Sequence, residues 1–215
     1  MRSIITHRSV ALVLVVLGVA AVPAPSSARP HGSVSVDLVL ANSALLPCLA
    51  SDDGKTPTLK LTVRRGRRND HLRLVMEHMK PGLTFDLFTI QHSPLLADGT
   101  ADSAFAGVGL AWYQSDVRTN RHPDVTEIDT ILVDQIFGID TDASVNLAPT
   151  QTLHVGLWFD NPAKAAACGF SGTTPFNGAH NAGPLAFVTK PDATTGLGPL
   201  CTDPDKSTVP ATCKP

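Results

Sequence analysis

The sequence predicts an all-β fold, an antiparallel β-sandwich or jelly roll of about eight strands. Short runs of alternating polar and apolar residues recur along the chain, and loops rich in Gly, Pro, Asp and Asn separate them. Only one short segment favours a helix. Alternation with a period of two is typical of a strand that buries one face, so these runs predict a core enclosed by sheet.

The first element along the chain has the pattern of a secretion signal. Basic residues open it, an apolar or small-residue run of 13 residues follows at 10–22, and Ser26, Ser27 and Ala28 offer the small side chains of a cleavage site. A membrane-spanning helix needs about 20 apolar residues, which favours a cleaved signal peptide at 1–28 over a retained anchor. We therefore expect a protein that is secreted and extracellular or associated with the cell envelope.

Cleavage would leave a β-sandwich domain at 29–189 and a C-terminal tail rich in Pro and Gly at 190–215. The chain of 215 residues has a formal net charge of −2, and removal of Arg2 and Arg8 gives −2 − 2 = −4. This mild acidity argues against a specific nucleic-acid partner, since dedicated nucleic-acid binders carry a basic excess.

Within the domain, the alternating runs place the individual strands. A turn at Lys80-Pro81-Gly82 lies between two of the runs and predicts that they form a hairpin. A helix of one or two turns is expected near 161–168, capped by Asp160 or Asn161 with Pro162 in its first turn. The predicted strands are 33–40, 59–63, 72–77, 83–91, 108–115, 127–133, 152–159 and 185–189.

Four cysteines follow the signal segment: Cys48, Cys168, Cys201 and Cys213. An even number in an exported chain favours two disulfides. The absence of a C-x-x-C pair argues against a zinc ribbon or a thioredoxin-type redox centre. Of the three possible connectivities we favour Cys201–Cys213, which would clip the tail, together with Cys48–Cys168, which would join distant parts of the chain.

The chain lacks the nucleophile elbow, the zinc helix H-E-x-x-H, the P-loop and the dinucleotide glycine turn. We therefore expect a non-enzymatic binding module with no cofactor.

Trp158 lies between two apolar neighbours on its strand and is predicted to belong to the core.

An arginine-rich turn suggests one kind of partner. Four arginines flank Gly66, and their forked donors match phosphate and carboxylate groups of an anionic cell-wall or extracellular polymer. The alternative is a solvated turn that discourages edge-to-edge aggregation. The four residues are Arg64, Arg65, Arg67 and Arg68.

A second loop copies the alternating oxygen ligands of a calcium site. Val145 replaces the glycine that permits the sharp bend of such loops, and Gln151 stands where the final glutamate is expected. An Asx-rich strand connection explains the same pattern without an ion. The candidate ligands are Asp140, Asp142, Ser144 and Asn146.

Residues 153–184 resemble the metal-loop segment of copper–zinc superoxide dismutases, which are also secreted β-sandwich proteins in bacteria. The resemblance implies His154 as a copper ligand, Cys168 as a disulfide cysteine and His180 as a zinc ligand. Gly156 stands in place of a second copper histidine. The bridging histidine is also missing at Pro175-Phe176-Asn177.

The resemblance implies, as the alternative function, a metal-binding or degenerate dismutase-like protein that holds a divalent ion through His154, His180 and Asp160. The competing interpretation makes each histidine a hydrogen-bonded structural residue.

An alanine-rich, lysine-poor composition is typical of a high-GC bacterium. The chain as a whole also resembles secreted β-sandwich proteins of actinobacteria, and this likeness implies no activity.

Amino-terminal sequencing of the secreted protein should find a chain that begins near Arg29, because the apolar run is too short to anchor the chain and a small-residue site follows it. Recovery of secreted chains that still begin at Met1 would contradict the assignment.

Overall fold

The computed structural model describes residues 33–64, 70–120, 126–132, 138–140, 150, 152–170, 182–201, 204–205 and 212–213; for 126–132, 138–140, 204–205 and 212–213 it describes the backbone only. The chain divides into two compact units, Met1–Pro30 and His31–Pro215, and every described residue belongs to the second. In these ranges, no helix has both the length and the apolar character needed to cross a membrane.

Strands make up most of the described chain. A 3-10 turn at Ser43–Leu45 leads into helix α1 (Leu46–Leu49), and helix α2 spans Pro162–Ala166. The strands are β1 (Ser33–Leu40), β2 (Thr58–Arg64), β3 (Asp70–Glu77), β4 (Thr84–Ile90), β5 (Leu110–Arg118), β6 (Thr126–Leu132), β7 (Gly138–Asp140), β8 (Thr152–Phe159), β9 (Leu185–Thr189), β10 (Leu200–Cys201), β11 (Pro204–Asp205) and β12 (Thr212–Cys213).

Ten of these strands form one sheet in the order β6-β3-β2-β1-β9-β8-β4-β5-β7, with β10 also paired to β8. All pairings are antiparallel. The sheet curls into a half-barrel, so that β5 and β6 approach each other although they are far apart in strand order. The predicted antiparallel all-β fold is confirmed. The two halves of the curled sheet correspond to the two layers of the predicted sandwich.

The inner face of the sheet holds the main core. In β2 and β3 buried and exposed residues alternate along the strand, because one face turns inward and the other meets solvent. Side chains from eight strands meet in one apolar cluster, which includes Leu38, Leu61, Leu74, Phe85, Val117, Leu157, Phe187 and Leu200.

The outer face is divided into two parts. Strands β4, β8 and β9 are buried on both faces, because a second apolar cluster covers their outer side. Strands β1, β2 and β3 instead turn polar side chains outward, for example Ser35 and Thr62, whose hydroxyls are 2.8 Å apart. The second cluster contains Phe88, Ile90, Leu95, Ala111, Trp158, Ala182 and Val188, which confirms Trp158 as a core residue.

The predicted hairpin between the third and fourth strands is wrong. The turn exists, with Gly82 at φ 71, but β3 pairs with β2 and β6 whereas β4 pairs with β5 and β8. The segment between them bonds elsewhere: Met79 forms a bridge with Ala50, and the Lys80 amide donates to the Leu49 carbonyl at 2.7 Å. The chain therefore crosses from one half of the sheet to the other at this turn.

Both helices are short and follow proline signals. The helix expected near 161–168 is confirmed as α2, with Pro162 at its start and the Asn161 side chain accepting a hydrogen bond from the Ala163 amide at 3.0 Å. Helix α1, with Pro47 in its first turn, was not predicted from the sequence, since four residues carry no helical period.

The C-terminal segment contains strands that the sequence did not predict. Leu200 and Cys201 pair with Leu153 and Thr152, so β10 extends the sheet beside β8. Farther along, β11 and β12 pair with each other. The short length of these strands explains why alternation did not reveal them.

The predicted Cys48–Cys168 disulfide is confirmed, with the two Cα atoms 5.9 Å apart. It links α1 to the turn after α2, 120 residues along the chain. Cys201 is also disulfide-bonded. The side chain of Cys213 lies outside the described part of the chain, so the Cys201–Cys213 bridge stays a prediction.

Replacing Cys48 and Cys168 by serine should lower the free energy of unfolding by about 2–5 kcal/mol. The loss should be roughly 2 kcal/mol larger than in the double variant Cys201→Ser, Cys213→Ser. A bridge that closes a loop of 120 residues removes more entropy from the unfolded chain than one that closes a loop of 12 residues. Urea unfolding monitored by tryptophan fluorescence measures both. Equal losses in the two variants would contradict this assignment.

Candidate functional site

His154, the predicted copper ligand, lies on β8 with 2% of its surface exposed. Its strand neighbour across the sheet is Ile90 of β4. The ring atom Nδ1 lies 3.1 Å from the Thr189 carbonyl oxygen and 3.2 Å from the Thr189 hydroxyl. A carbonyl only accepts hydrogen bonds, so Nδ1 carries the hydrogen and donates it. The neutral ring then has its lone pair on Nε2.

Burial lowers the pKa of His154 to about 4, because the charged imidazolium loses its hydration. The hydrogen bond to Thr189 acts in the opposite direction, and electrostatic repulsion by His92 adds a smaller lowering of the pKa. His154 is therefore a neutral imidazole at neutral pH.

His92 follows the end of β4 and was not selected from the sequence. Its amide and that of Gln91 both donate to the Val108 carbonyl at 3.1 Å, which fixes the backbone where β4 ends. The His92 atom Nε2 is buried and makes no hydrogen bond within the described structure. A buried ring nitrogen without such a bond is uncommon, and this distinguishes His92 from the other histidines that the structure describes.

Two glycines leave room for these imidazoles. A Cβ atom at Gly109, which has φ +69, would lie 3.2 Å from Cδ2 of His92. A Cβ atom at Gly198 would lie 3.1 Å from Cδ2 of His154 and 2.5 Å from the Leu153 carbonyl oxygen. A side chain at either glycine would therefore crowd the neighbouring imidazole ring. Without the tertiary structure, neither glycine could be connected with a histidine.

The other predicted metal ligands do not join His154 in the described structure. Asp160 lies just beyond the far end of β8, six residues along, and its amide donates to the Thr84 carbonyl at 3.1 Å. Six residues of extended strand span about 20 Å, so Asp160 and His154 cannot bind one ion. His180 lies outside the described residues. No group of three or more metal-binding side chains occurs among the residues that the structure describes.

Gly156 has a steric reason to lack a side chain. A Cβ atom there would lie 2.5 Å from Cζ3 of Trp158 and 3.1 Å from Cδ1 of Leu185. The indole covers the strand at the position where the dismutase pattern carries a histidine. Trp158 also stacks edge-on against Phe88 with ring centres 5.5 Å apart, and Phe88 does the same with Tyr113 at 5.6 Å.

Tyr113 ends this aromatic row beside two acidic residues. Its hydroxyl donates to Oδ1 of Asp116 at 2.7 Å, and Asp116 pairs across the strands with the buried Asp86. Desolvation raises the pKa of Tyr113, and the carboxylates of Asp116 and Asp86 raise it further. The phenol therefore remains protonated and acts as a hydrogen-bond donor.

The arginine-rich sequence falls at the connection between β2 and β3. Arg64 is the last residue of β2, is exposed and lies opposite the exposed His71 of β3. Arg73 is exposed on the same outer face as His71. We call Arg64, His71 and Arg73 the basic face. Arg65, Arg67 and Arg68 lie outside the described residues.

Beyond the basic face the same sheet surface becomes mixed in charge. Lys60 lies 3.6 Å from the carboxylate of Asp37, and the Thr58 hydroxyl donates to Glu77 at 3.0 Å. These residues line a groove of about 770 Å³ that reaches the loop at Asp98. An anionic chain that extended from the basic face along this surface would therefore contact the carboxylates of Asp37 and Glu77 near and beyond Lys60.

The calcium candidates cannot be assembled from the described residues. The backbone of Asp140 ends β7 beside Leu110 of β5. Asp142, Ser144 and Asn146 lie outside the described part. The calcium loop therefore stays a prediction.

The fold and these sites define an antiparallel β-protein with a disulfide that ties both helices together, a basic face and a buried neutral histidine, His154. No protein-family model, curated protein or solved structure matches the chain.

The buried His154 should make stability depend on pH. Between about pH 6.5 and pH 4 the unfolded chain binds a proton at this residue and the folded chain does not. The free energy of unfolding should therefore fall as the pH decreases through this range, by roughly 3 kcal/mol in total.

The measurement is urea unfolding of the wild type and His154→Asn at several pH values, with a chelator present. Asparagine keeps a donor toward Thr189 but does not titrate, so titrations of other groups cancel in the difference. The free energy of unfolding of the wild type, minus that of the variant, should decrease as the pH is lowered. A difference that stays constant with pH would contradict the low pKa assigned to His154.

Proposed function

We propose that the protein is an exported, non-enzymatic binding module whose ligand is an anionic extracellular or cell-wall polymer. One observation supports this proposal above the others. The antiparallel register of β2 and β3 brings Arg64 beside His71, with Arg73 on the same exposed face. Basic side chains are therefore exposed on both strands next to the arginine-rich sequence.

The chemistry of the basic face suits such a ligand. Guanidinium groups bind phosphate, sulfate and carboxylate through paired donors, and directly opposed side chains on neighbouring strands have Cβ atoms about 5 Å apart. The donors of Arg64 and His71 are therefore close enough to contact neighbouring anionic groups of one polymer chain. The carboxylates of Asp37 and Glu77, farther along the sheet, would confine the polymer to the β2–β3 end.

The test is retention on immobilised heparin and polyphosphate. Four simultaneous replacements, Arg64→Ser, Arg65→Ser, Arg67→Ser and Arg68→Ser, should abolish retention while circular dichroism stays unchanged, because exposed charges contribute little to stability. Wild-type affinity should fall about 10²-fold between about 50 and about 200 mM salt, as expected when four or so anionic contacts release counterions.

A matched control removes four exposed positive charges elsewhere, through Lys55→Ser, Arg118→Ser, Lys164→Ser and Lys190→Ser. This control should be retained almost like the wild type if the basic surface is the binding site. Equal loss in both variants would show a net-charge effect, and equal retention of wild type and arginine variant would show that binding lies elsewhere. A double variant, Arg64→Ser with His71→Ser, should weaken retention measurably if the sheet surface takes part.

A further inference from the structure

We propose that His71 makes polyanion binding by the basic face depend on pH, so that the protein holds its anionic ligand more tightly in mildly acidic surroundings. This inference rests on the proposed function and adds its regulation. Arginine stays protonated at all physiological pH values, whereas histidine changes its charge between about pH 5 and pH 8. Among the three residues of the basic face, His71 is therefore the one that can respond to a mild change of pH.

The strand register puts His71 beside both arginines of the basic face. His71 of β3 is the direct partner of Arg64 on β2, and Arg73 is exposed two residues farther along β3. Directly opposed residues have Cβ atoms about 5 Å apart, and two residues of extended strand span about 7 Å. A protonated His71 therefore joins the two guanidinium groups in one patch of three positive charges.

Exposure separates His71 from the other histidines that the structure describes. His71 is exposed, whereas His78 and His92 are half-buried and His154 is buried. Nδ1 of His78 already lies 2.6 Å from a carboxylate oxygen of Asp53. Of these four rings, His71 is thus the one that a large ligand on the basic face can contact.

The neighbouring strand β6 brings one acidic residue to this part of the sheet. Ile131 is the register partner of His71, and Asp129 is the partner of Arg73. Asp129 is therefore diagonal to His71 in the register. Asp70 precedes His71 on β3 and belongs to the opposite face by alternation.

The other charged residues of the outer surface lie farther away along the strands. Lys60, which is 3.6 Å from Asp37, precedes Arg64 by four residues, or about 13 Å of strand. Glu77 follows His71 by six residues, or about 20 Å. Charges at such distances are largely screened in about 0.1 M salt, where the Debye length is about 10 Å. The arginines of the connection that the structure does not describe add further positive charge to the sequence beside His71.

Proton binding and ligand binding at His71 favour each other. An anionic group beside the ring stabilises the imidazolium through opposite charge and a charge-assisted hydrogen bond. The bound protein therefore takes up a proton more readily than the free protein. Because such coupling is reciprocal, the affinity for the polyanion rises as the pH falls through the range in which histidine becomes charged.

The experiment measures the affinity of the mature, disulfide-intact protein for heparin by titration at several salt concentrations, at about pH 8 and about pH 5.5. Heparin is the probe because its sulfate groups keep their charge over this range, whereas a phosphate monoester gains a proton near pH 6. The wild type should bind roughly two- to fivefold more tightly at the lower pH, the size expected for one exposed charge pair. The slope of log affinity against log salt should steepen by about one unit, as for one added contact with a polyanion.

Two substitutions of His71 fix its charge. His71→Gln should bind at both pH values as the wild type does at the higher pH, and His71→Lys should bind tightly at both. The control is His78→Asn, which removes a histidine just beyond the far end of β3 and should keep the wild-type pH dependence. Asparagine tolerates the positive φ of 58 at this position. Circular dichroism at both pH values checks that each variant is folded.

The outcomes separate this inference from the proposed function. Wild-type affinity that is equal at both pH values, pH dependence that persists in His71→Gln or His71→Lys, weak binding by His71→Lys at both pH values, or equal loss of the pH dependence in His78→Asn would overturn the role of His71 and leave polyanion binding in place. A wild type that binds heparin at neither pH would overturn the proposed function, and this inference with it.

Discussion

The Cys48–Cys168 bridge is the constraint on which the rest of the fold depends. A curled sheet leaves part of its inner apolar face uncovered unless other segments pack on it. Leu45 and Leu49 from the α1 segment and Ala165 from α2 all join the inner cluster, and the bridge holds these two segments together. Backbone bonds reinforce it, because the α1 segment also pairs with the turn that carries the chain from β3 to β4.

The division of the outer face gives its two parts different chemistry. Where β4, β8 and β9 meet, an aromatic row and neighbouring apolar side chains bury the outer surface, so polar groups such as His154 are enclosed and their protonation is controlled by burial. Over β2 and β3 the outer surface stays exposed. Charged groups keep their hydration there, which suits salt-sensitive contact with a large polymer.

Neighbouring residues on one strand thus serve different purposes. Gly156 gives space to the Trp158 ring, while His154, two residues earlier on the same face, has its Nδ1 hydrogen taken by Thr189. The dismutase-like spacing therefore cannot hold two histidines on this strand without displacing the indole from the outer cluster.

The sequence by itself indicated the eight longer strands and the α2 helix, and it favoured the Cys48–Cys168 pairing that the structure confirms. Alternation, capping and cysteine placement are local or countable signals, and Ser33–Leu40 and Thr152–Phe159 were predicted to the residue. Only the tertiary structure decided which strands pair, because β3 and β4 follow each other along the chain without pairing, and each has one partner, β6 or β8, that is distant in sequence. It also decided that the His154 ring is buried against Thr189 with Gly198 beside it, since these contacts exist only after the sheet has formed.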